Sequence, residues 1–370
     1  MICLNSISIS PHILAFFEPL AKMCGNRAEY QYNVDKHDKE RMEYGWNDET
    51  QVYTRKADTP EARRVREEAD VLIDAMRDVE VLEKRSRAGK LSFYASERWF
   101  KPPLGLLRLL HPRYFMMARK LCRLLAGGHV FYLAQGPYAA MDMARMCGLM
   151  KGKLQYLFRC PKIAYQKFPG AKIDSDDCGS MYLWGYFVHP SNAEKKQVES
   201  VNSDGEASRM RVLWVGRMLD WKRLKDLVEA VKKASSQRDV VLDIYGEGPE
   251  KEDICRRAKG FPNIRINGFV KAEKVRALMR SHDVYVLPSN EYEGWGAVVS
   301  EALEENMCVY GTRQSGASMA ILPDENLYDC GDVDGLSRML CRPPVKMTIG
   351  MWSGENAARS LLRIINDISR

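Results

Sequence analysis

The sequence predicts an α/β protein of two domains, each a parallel sheet wrapped by helices. Three observations point there. Short apolar runs recur along the chain and alternate with stretches whose apolar residues fall at i, i+3, i+4 and i+7. The length, 370 residues, gives room for about two domains with sizeable cores. A polar stretch from Asn192 to Ser208, rich in Ser, Asn, Asp and Gly, separates two such series.

In the first series, residues 2–9, ICLNSISI, read as a strand. Pro11 and His12 form a turn, and Ile13 to Met23 read as a helix. Residues 35–60 are polar and read as loop and short helix. Over residues 60–88, Val65, Ala69, Leu72, Ile73, Met76 and Val79 recur at helical spacing among many charges, which read as a solvated helix face. Leu91 to Ala95 is a short strand ending in Ser96-Glu97-Arg98. His129 to Ala134 and Leu154 to Phe158 read as strands, with a helix from Tyr138 to Met150 between them. Tyr182 to Val188 closes the series as its last strand.

The second series opens with the strand Arg211 to Val215, followed by Gly216-Arg217 and, five residues on, Lys222. Leu224, Leu227, Val228 and Val231 make a helix stripe. Strands follow at Val240 to Tyr245, Ile264 to Phe269, Val284 to Leu287, Cys308 to Tyr310 and Leu327-Tyr328, and a helix at Glu273 to Ser281. Helices run from Asp334 and near Glu355. The domains are therefore placed at residues 1–190 and 210–350, with a linker at 191–209 and a C-terminal helix, 351–370, expected to pack back on the first domain.

Composition narrows the class. Apolar content is 45% and charged content 28%, ordinary for a soluble globular chain. No apolar run approaches the roughly 18 residues a spanning helix needs. The start, MICLNSISIS, lacks a basic n-region and a signal-peptide core. The ten cysteines form no C-x-x-C pair, which fits a reducing cytoplasm rather than a disulfide framework or zinc site.

The net charge of +7 is unevenly placed. Arg98 to Lys172 carries 7 Lys and 7 Arg against one acid, Asp142, leaving the rest of the chain net acidic. Within it, Trp99 to Leu125 interleaves leucines, aromatics and methionines with Lys101, Arg108, Arg113, Arg119, Lys120 and Arg123. That composition suits an anionic bilayer surface, and predicts a cytoplasmic protein held peripherally at the inner face of the membrane. Core helices with basic outer faces are the other reading. Nucleic acid is not expected, since no binding motif accompanies the charge.

The chemistry centres on Asp283 to Asn306, DVYVLPSNEYEGWGAVVSEALEEN. It reads strand, loop, helix. Glycines at a strand-to-helix turn let a ligand approach the backbone. Glu293 and Glu301 lie eight positions apart, roughly 12 Å along a helix at 1.5 Å per residue and nearly on one face. A carboxylate accepts two hydrogen bonds, so vicinal hydroxyls are natural partners. Arg217 and Lys222 stand just past a strand end, where open α/β sheets bind ligands, and both suit phosphate. Gly246-Glu-Gly248-Pro249 is a weak signal alone, lacking the third glycine of a dinucleotide fingerprint. Asp174-Ser-Asp-Asp177 has the look of a D-x-D metal motif but reads as plain loop acid.

Glu293-Gly-Trp-Gly-Ala-Val-Val-Ser-Glu301 resembles the E-x7-E motif of the retaining glycosyltransferases of family 4. The order G-R-x4-K, G-x-G-P, a strand ending near Gly268, then E-x7-E also resembles that family, closely over Met210 to Leu336. The resemblance implies the GT-B fold, two Rossmann-like α/β domains facing a deep interdomain cleft. It implies a retaining transferase moving a sugar from a nucleotide-sugar to a saccharide or lipid-linked saccharide, in cell-surface polysaccharide or glycolipid synthesis.

Under the resemblance, Arg217, Lys222 and Glu293 are the catalytic candidates. Arg217 and Lys222 would bind the diphosphate, Glu301 the ribose, and Glu293 the donor sugar. Backbone near Val270 would meet the base, and Gly216, Gly246, Gly294, Trp295 and Gly296 complete the donor set. The first domain would bind the acceptor, with His12, Glu97 and Arg98 as candidates. Many family members carry glycines in the first loop, where this chain has Ser8-Ile9-Ser10-Pro11-His12. No cofactor is implied, and no metal is expected. A sugar-nucleotide epimerase of the same fold, and an inactive GT-B subunit that binds membrane, are the alternatives.

Overall fold

Parallel strands covered on both faces are mostly apolar, and strands of that kind, such as Met210–Val215 and Val284–Leu287, form the centre of this protein's second sheet. The computed structural model describes residues 1–25, 27–32, 54–179, 181–191 and 209–370. Most of the loop and short helix expected over 35–60, and the stretch 192–208, lie outside those residues. The chain divides into two units, Met1–His189 with Met351–Arg370, and Pro190–Gly350.

The first unit holds β1 (Ile2–Ser6), β2 (Ala28–Tyr32), β3 (Thr54–Lys56), β4 (Val71–Asp74), β5 (Leu91–Ser96), β6 (Val130–Gln135), β7 (Lys172–Ile173) and β8 (Met181–Trp184). Their order in the sheet is β3-β2-β1-β4-β5-β6-β8-β7, and the β7–β8 pair is antiparallel where the others are parallel. Around it lie α1 (Pro11–Met23), α2 (Pro60–Glu68), α3 (Val79–Arg87), α4 (Pro112–Ala126) and α5 (Pro137–Met150).

The second unit is a six-stranded parallel sheet. Its strands are β9 (Met210–Val215), β10 (Val240–Tyr245), β11 (Ile264–Ile266), β12 (Val284–Leu287), β13 (Cys308–Thr312) and β14 (Leu327–Tyr328). They stand in the order β11-β10-β9-β12-β13-β14. That is the doubly wound order, and it reverses between β9 and β12. The helices are α6 (Leu224–Ala234), α7 (Lys251–Ala258), α8 (Ala272–Arg280), α9 (Val298–Glu304), α10 (Gly316–Ile321) and α11 (Val333–Leu340). Val212, Trp214, Leu242, Val284 and Val286 from the strands pack with Leu227, Val228 and Val231 from α6 in one core cluster.

The last helix, α12 (Gly354–Ser369), belongs to the first unit. A Cβ at Gly354 would fall 1.9 Å from the Ala15 carbonyl oxygen, so only glycine lets α12 approach α1 this closely. Trp352 Nε1 donates to the Lys167 carbonyl over 3.1 Å, and its ring stacks on Phe187.

Several local expectations are corrected. The helical spacing over 60–88 crosses three elements: Leu72 and Ile73 lie on β4, between α2 and α3. Leu154 to Phe158 is no strand but a 3-10 turn, Leu154–Leu157, with Leu154 and Phe158 turned to solvent. The strands expected at Tyr182–Val188 and Ile264–Phe269 end at Trp184 and Ile266. β2 went unread because its buried Glu29 and Gln31 break the apolar run. Their polar groups are met inside: Gln31 Nε2 donates to Glu29 Oε1 over 2.7 Å, and Arg66 Nη1 donates to Gln31 Oε1 over 2.6 Å.

Candidate functional site

The loops after β9 and β12 leave the second sheet where its strand order reverses, the place where open α/β sheets bind ligands. Tyr285 on β12 joins the two strands there. It is fully buried, and its hydroxyl donates to the Val215 carbonyl over 3.3 Å. Burial raises the Tyr285 phenol well above its usual range, and the negative charges of Glu293 and Glu301 add to the shift. Both carboxylates thus act on one phenol at the head of the site.

The loop after β9 runs through Gly216 and Arg217 into a 3-10 turn, Asp220–Lys222. Arg223 then takes a left-handed backbone, φ 51°, uncommon for a side chain other than glycine, Asn or Asp. Its guanidinium holds Asp226 at 2.7 and 3.1 Å, which secures the start of α6. Lys222 is thereby delivered to Glu293, with which it forms an ion pair. Ser289 Oγ donates to the same oxygen, Glu293 Oε2, over 2.9 Å. Thr312 on β13 in turn donates its hydroxyl to the Ser289 carbonyl. Ser289 and Thr312 are fully buried, so Glu293 is held from beneath by fixed groups. Arg217 differs. It is exposed, and its guanidinium makes no hydrogen bond or ion pair with the described residues.

Spacing alone treats Glu293 to Glu301 as one helical run. The structure corrects this: Glu293 stands in the loop, and α9 begins at Val298. Gly296 carries φ 89°, and a Cβ there would lie 2.8 Å from Leu287 Cδ2. Trp295 is 1% exposed, and its backbone oxygen accepts from Ser315 Oγ at 3.0 Å and Ala317 N at 2.8 Å. The ring of Trp295 is buried, and its backbone oxygen fixes the loop against α10. Glu301 is half-buried on α9. The next two acids serve structure: Glu304 accepts from Ser191 N, and Glu305 is paired with Arg276 and Arg280.

Gly246 and Gly248 have a packing reason. Cβ atoms there would lie 1.8 Å from the Gly216 oxygen and 2.5 Å from the Met218 oxygen. The G-x-G-P loop lies directly against the loop carrying Arg217, and Gly246 N also donates to the Gly268 carbonyl over 2.7 Å. Gly246 is buried, so it shapes the site without facing solvent, while Val270, just beyond, is half-buried.

In the first unit, three residues meet. His12 Nδ1 donates to the Phe187 carbonyl over 3.2 Å, and its ring lies 6.2 Å from that of Tyr186. The Tyr186 hydroxyl donates to Glu97 Oε1 over 3.0 Å, and Lys101 pairs with the other oxygen of Glu97. Tyr186 was missed in the sequence; the only sign of it is the aromatic run YLWGYFV. Arg98 is committed elsewhere. It reaches the buried Asp142 at 3.3 and 3.4 Å and lies over the Tyr138 ring. Asp177 of the D-x-D-like loop is likewise engaged, by Lys153 at 2.6 Å and the Tyr156 hydroxyl at 2.7 Å.

This geometry defines a class first: the chain has the GT-B glycosyltransferase fold. The lipopolysaccharide outer core galactosyltransferase WaaB, in its apo form, superposes with a TM-score of 0.61 over 99% of both chains at 14% identity. Within the second unit, residues 209–342 match the model for glycosyl transferases group 1. The chain resembles the enzymes of GT4 type. It is 33% identical over 95 residues to the uncharacterized glycosyltransferase MJ1607 of Methanocaldococcus jannaschii, covering 25% of this chain and 24% of that one. It is 32% identical over 122 residues to the N-acetyl-alpha-D-glucosaminyl L-malate synthase of Bacillus anthracis, covering 31% of each. The matched segment thus spans a quarter to a third of these relatives.

Proposed function

We propose that the protein is a retaining glycosyltransferase that moves a sugar from a nucleotide-sugar to a saccharide or lipid-linked saccharide, in polysaccharide or glycolipid synthesis. The observation that carries this is the Lys222–Glu293 pair at the strand-order reversal, with Glu301 acting on the same phenol and Arg217 reaching into solvent beside β9.

As the bond to the leaving nucleoside diphosphate breaks, negative charge grows on its phosphates. Arg217 and Lys222 would stabilise that charge more in the transition state than in the ground state. The Lys222 ammonium has three donors, so it can hold Glu293 and a phosphate oxygen together. Glu293, fixed by Lys222 and Ser289, would accept from hydroxyls of the transferred sugar. Glu301 would hold the ribose, and the loop at Val270 would meet the base. In the first unit, His12, Tyr186 and Glu97 would face the acceptor.

The same proposal places the protein on an anionic membrane, peripherally at the inner face. Leu107 and Leu110 are 61 and 79% exposed on the 3-10 turn Gly105–Leu110, Leu104 just before it is 54% exposed, and Phe115 and Met116 are exposed on α4. The 154–157 turn adds Leu154, Leu157 and Phe158. No helix among the described residues is long and apolar enough to cross a membrane. Apolar tips among basic side chains fit reversible docking on anionic lipid.

A thermal-shift screen of UDP-, GDP- and ADP-sugars tests the donor reading. A bound ligand raises the midpoint by mass action, by about 2.7 kcal/mol of stability at a hundredfold excess over Kd. No shift with any of them would exclude a nucleotide-sugar site.

A further inference from the structure

Immediately before Lys222 and Glu293 stand Trp221 and Tyr292, and these two also meet. Their rings are 6.4 Å apart between centroids and inclined by only 11°. They are 37% and 40% exposed, while the charge pair beside them is largely covered. The two loops are joined where the rings meet: Asn290 N donates to the Trp221 carbonyl over 2.9 Å, and Tyr292 N to Asn290 Oδ1 over 3.0 Å. Successive residues of one loop therefore pair with successive residues of the other, once through charge and once through aromatic rings.

We propose that Trp221 and Tyr292 form a stacking platform for a pyranose ring, a site that determines which sugar is accepted. The inference rests on the donor reading of the Lys222–Glu293 site. A pyranose is amphipathic, with hydroxyls at its rim and C–H bonds on its faces. The faces of Trp and Tyr carry the negative side of a quadrupole and attract those C–H groups. Binding sites for such ligands combine aromatic walls with a few fixed polar groups. Here the polar group is Glu293: Ser289 and Lys222 both take Oε2, which leaves Oε1 for sugar hydroxyls. The ring on the platform belongs to the donor or to the acceptor, and the test separates the two.

Calorimetry on the whole chain would compare the unaltered protein with Trp221→Ala, Tyr292→Ala and Trp221→Phe. The probes are the tightest binder among UDP-glucose, UDP-galactose, UDP-N-acetylglucosamine, GDP-mannose and ADP-glucose, and its free nucleoside diphosphate. A donor sugar on the platform predicts that each Ala variant weakens the nucleotide-sugar about fivefold, the size of an aromatic contact. The free diphosphate is then unchanged, and Trp221→Phe keeps most of the affinity. An acceptor sugar predicts unchanged donor binding, and loss in the Ala variants of the saturation-transfer NMR signal of methyl α-glucoside, α-galactoside or α-mannoside. The platform is overturned if donor and glycoside binding both survive in the Ala variants. It is also overturned if free diphosphate weakens as much as nucleotide-sugar while the melting midpoint falls, which marks a clamp between loops. If no nucleotide-sugar binds the unaltered protein, the donor reading fails and this proposal with it.

Discussion

Lys222 and Glu293 stand 71 residues apart in the chain and form an ion pair in the second unit. Neither is deeply buried, with side chains 20% and 13% exposed, so each remains reachable by a ligand while holding the other in place. Free of ligand, the pair neutralises itself. Under the proposed donor reading, a diphosphate beside Arg217 would add negative charge where Lys222 has donors to spare.

Replacing these cations is the direct test of the chemistry. Arg217→Ala and Lys222→Ala are each expected to lower turnover by about tenfold or more, the scale of one lost transition-state contact. Circular dichroism should report an intact fold in both. Steady-state kinetics with the donor found by thermal shift decides it. Near-normal turnover in both variants would remove the diphosphate role.

The apolar tips predict a lipid response. The protein should sediment with anionic vesicles at low salt, be released at high salt and ignore neutral vesicles. Each basic residue at the surface contributes about 1 kcal/mol at most, screened by salt. Leu107→Asp with Leu110→Asp should weaken sedimentation without altering the melting midpoint, because both side chains are exposed. Equal binding to anionic and neutral vesicles would return these residues to a solvated basic face.

Asp74 predicts a pH effect in the first unit. It ends β4, is fully buried, and accepts from Asn5 Nδ2 at 2.9 Å and Asp78 N at 2.9 Å. Burial outweighs those donors and raises its carboxyl to about 6. An unfolded Asp titrates near 3.9. Between the two values the folded protein keeps a proton that the unfolded chain has released, so this stabilisation is present below pH ~4 and lost as pH rises through 6. Asp74→Asn cannot titrate. Its stability deficit against the unaltered protein should shrink by on the order of 2 kcal/mol from pH 4 to pH 7. Urea midpoints at both values measure it, and a constant deficit would contradict the assignment.

Chelation supplies a further check. Two cationic side chains at the proposed diphosphate site make a divalent cation unnecessary for charge compensation. Activity is therefore expected to survive EDTA. Loss on chelation that Mg²⁺ or Mn²⁺ restores would show that the Asp174–Asp177 loop had been dismissed wrongly.

Much of the fold was legible because parallel strands and amphipathic helices leave local signatures. The runs at Val240–Tyr245 and Val284–Leu287 and the stripe at Leu224–Val231 coincide with β10, β12 and α6. Reading failed where local pattern and burial part company. Leu72 and Ile73 continue the spacing of α2 by coincidence, since a strand covered on both faces has no period of its own. Glu29 and Gln31 hid β2 because hydropathy does not record that Gln31 donates to Glu29 while Arg66, far along the chain, donates to Gln31. Leu154 to Phe158 looked like a strand because apolar content says nothing about whether anything covers it.

By itself the sequence determined the alternation of strands and helices, and with it the α/β class. It also determined which residue types follow the strand ends, Arg217, Lys222 and Glu293 in the loops and Glu301 in the helix after β12. Only the tertiary structure decided what they touch. Lys222 meets Glu293 because β9 and β12 are neighbours in the sheet although β10 and β11 lie between them in the chain. Tyr285 became the hinge between Val215 and the two carboxylates for the same reason, and Arg98 met Asp142, 44 residues along the chain. Spacing along a chain sets only the neighbours that one helix or strand can bring together. Contacts between elements depend on the order in which the strands pair, and that order follows from burying all the apolar faces at once.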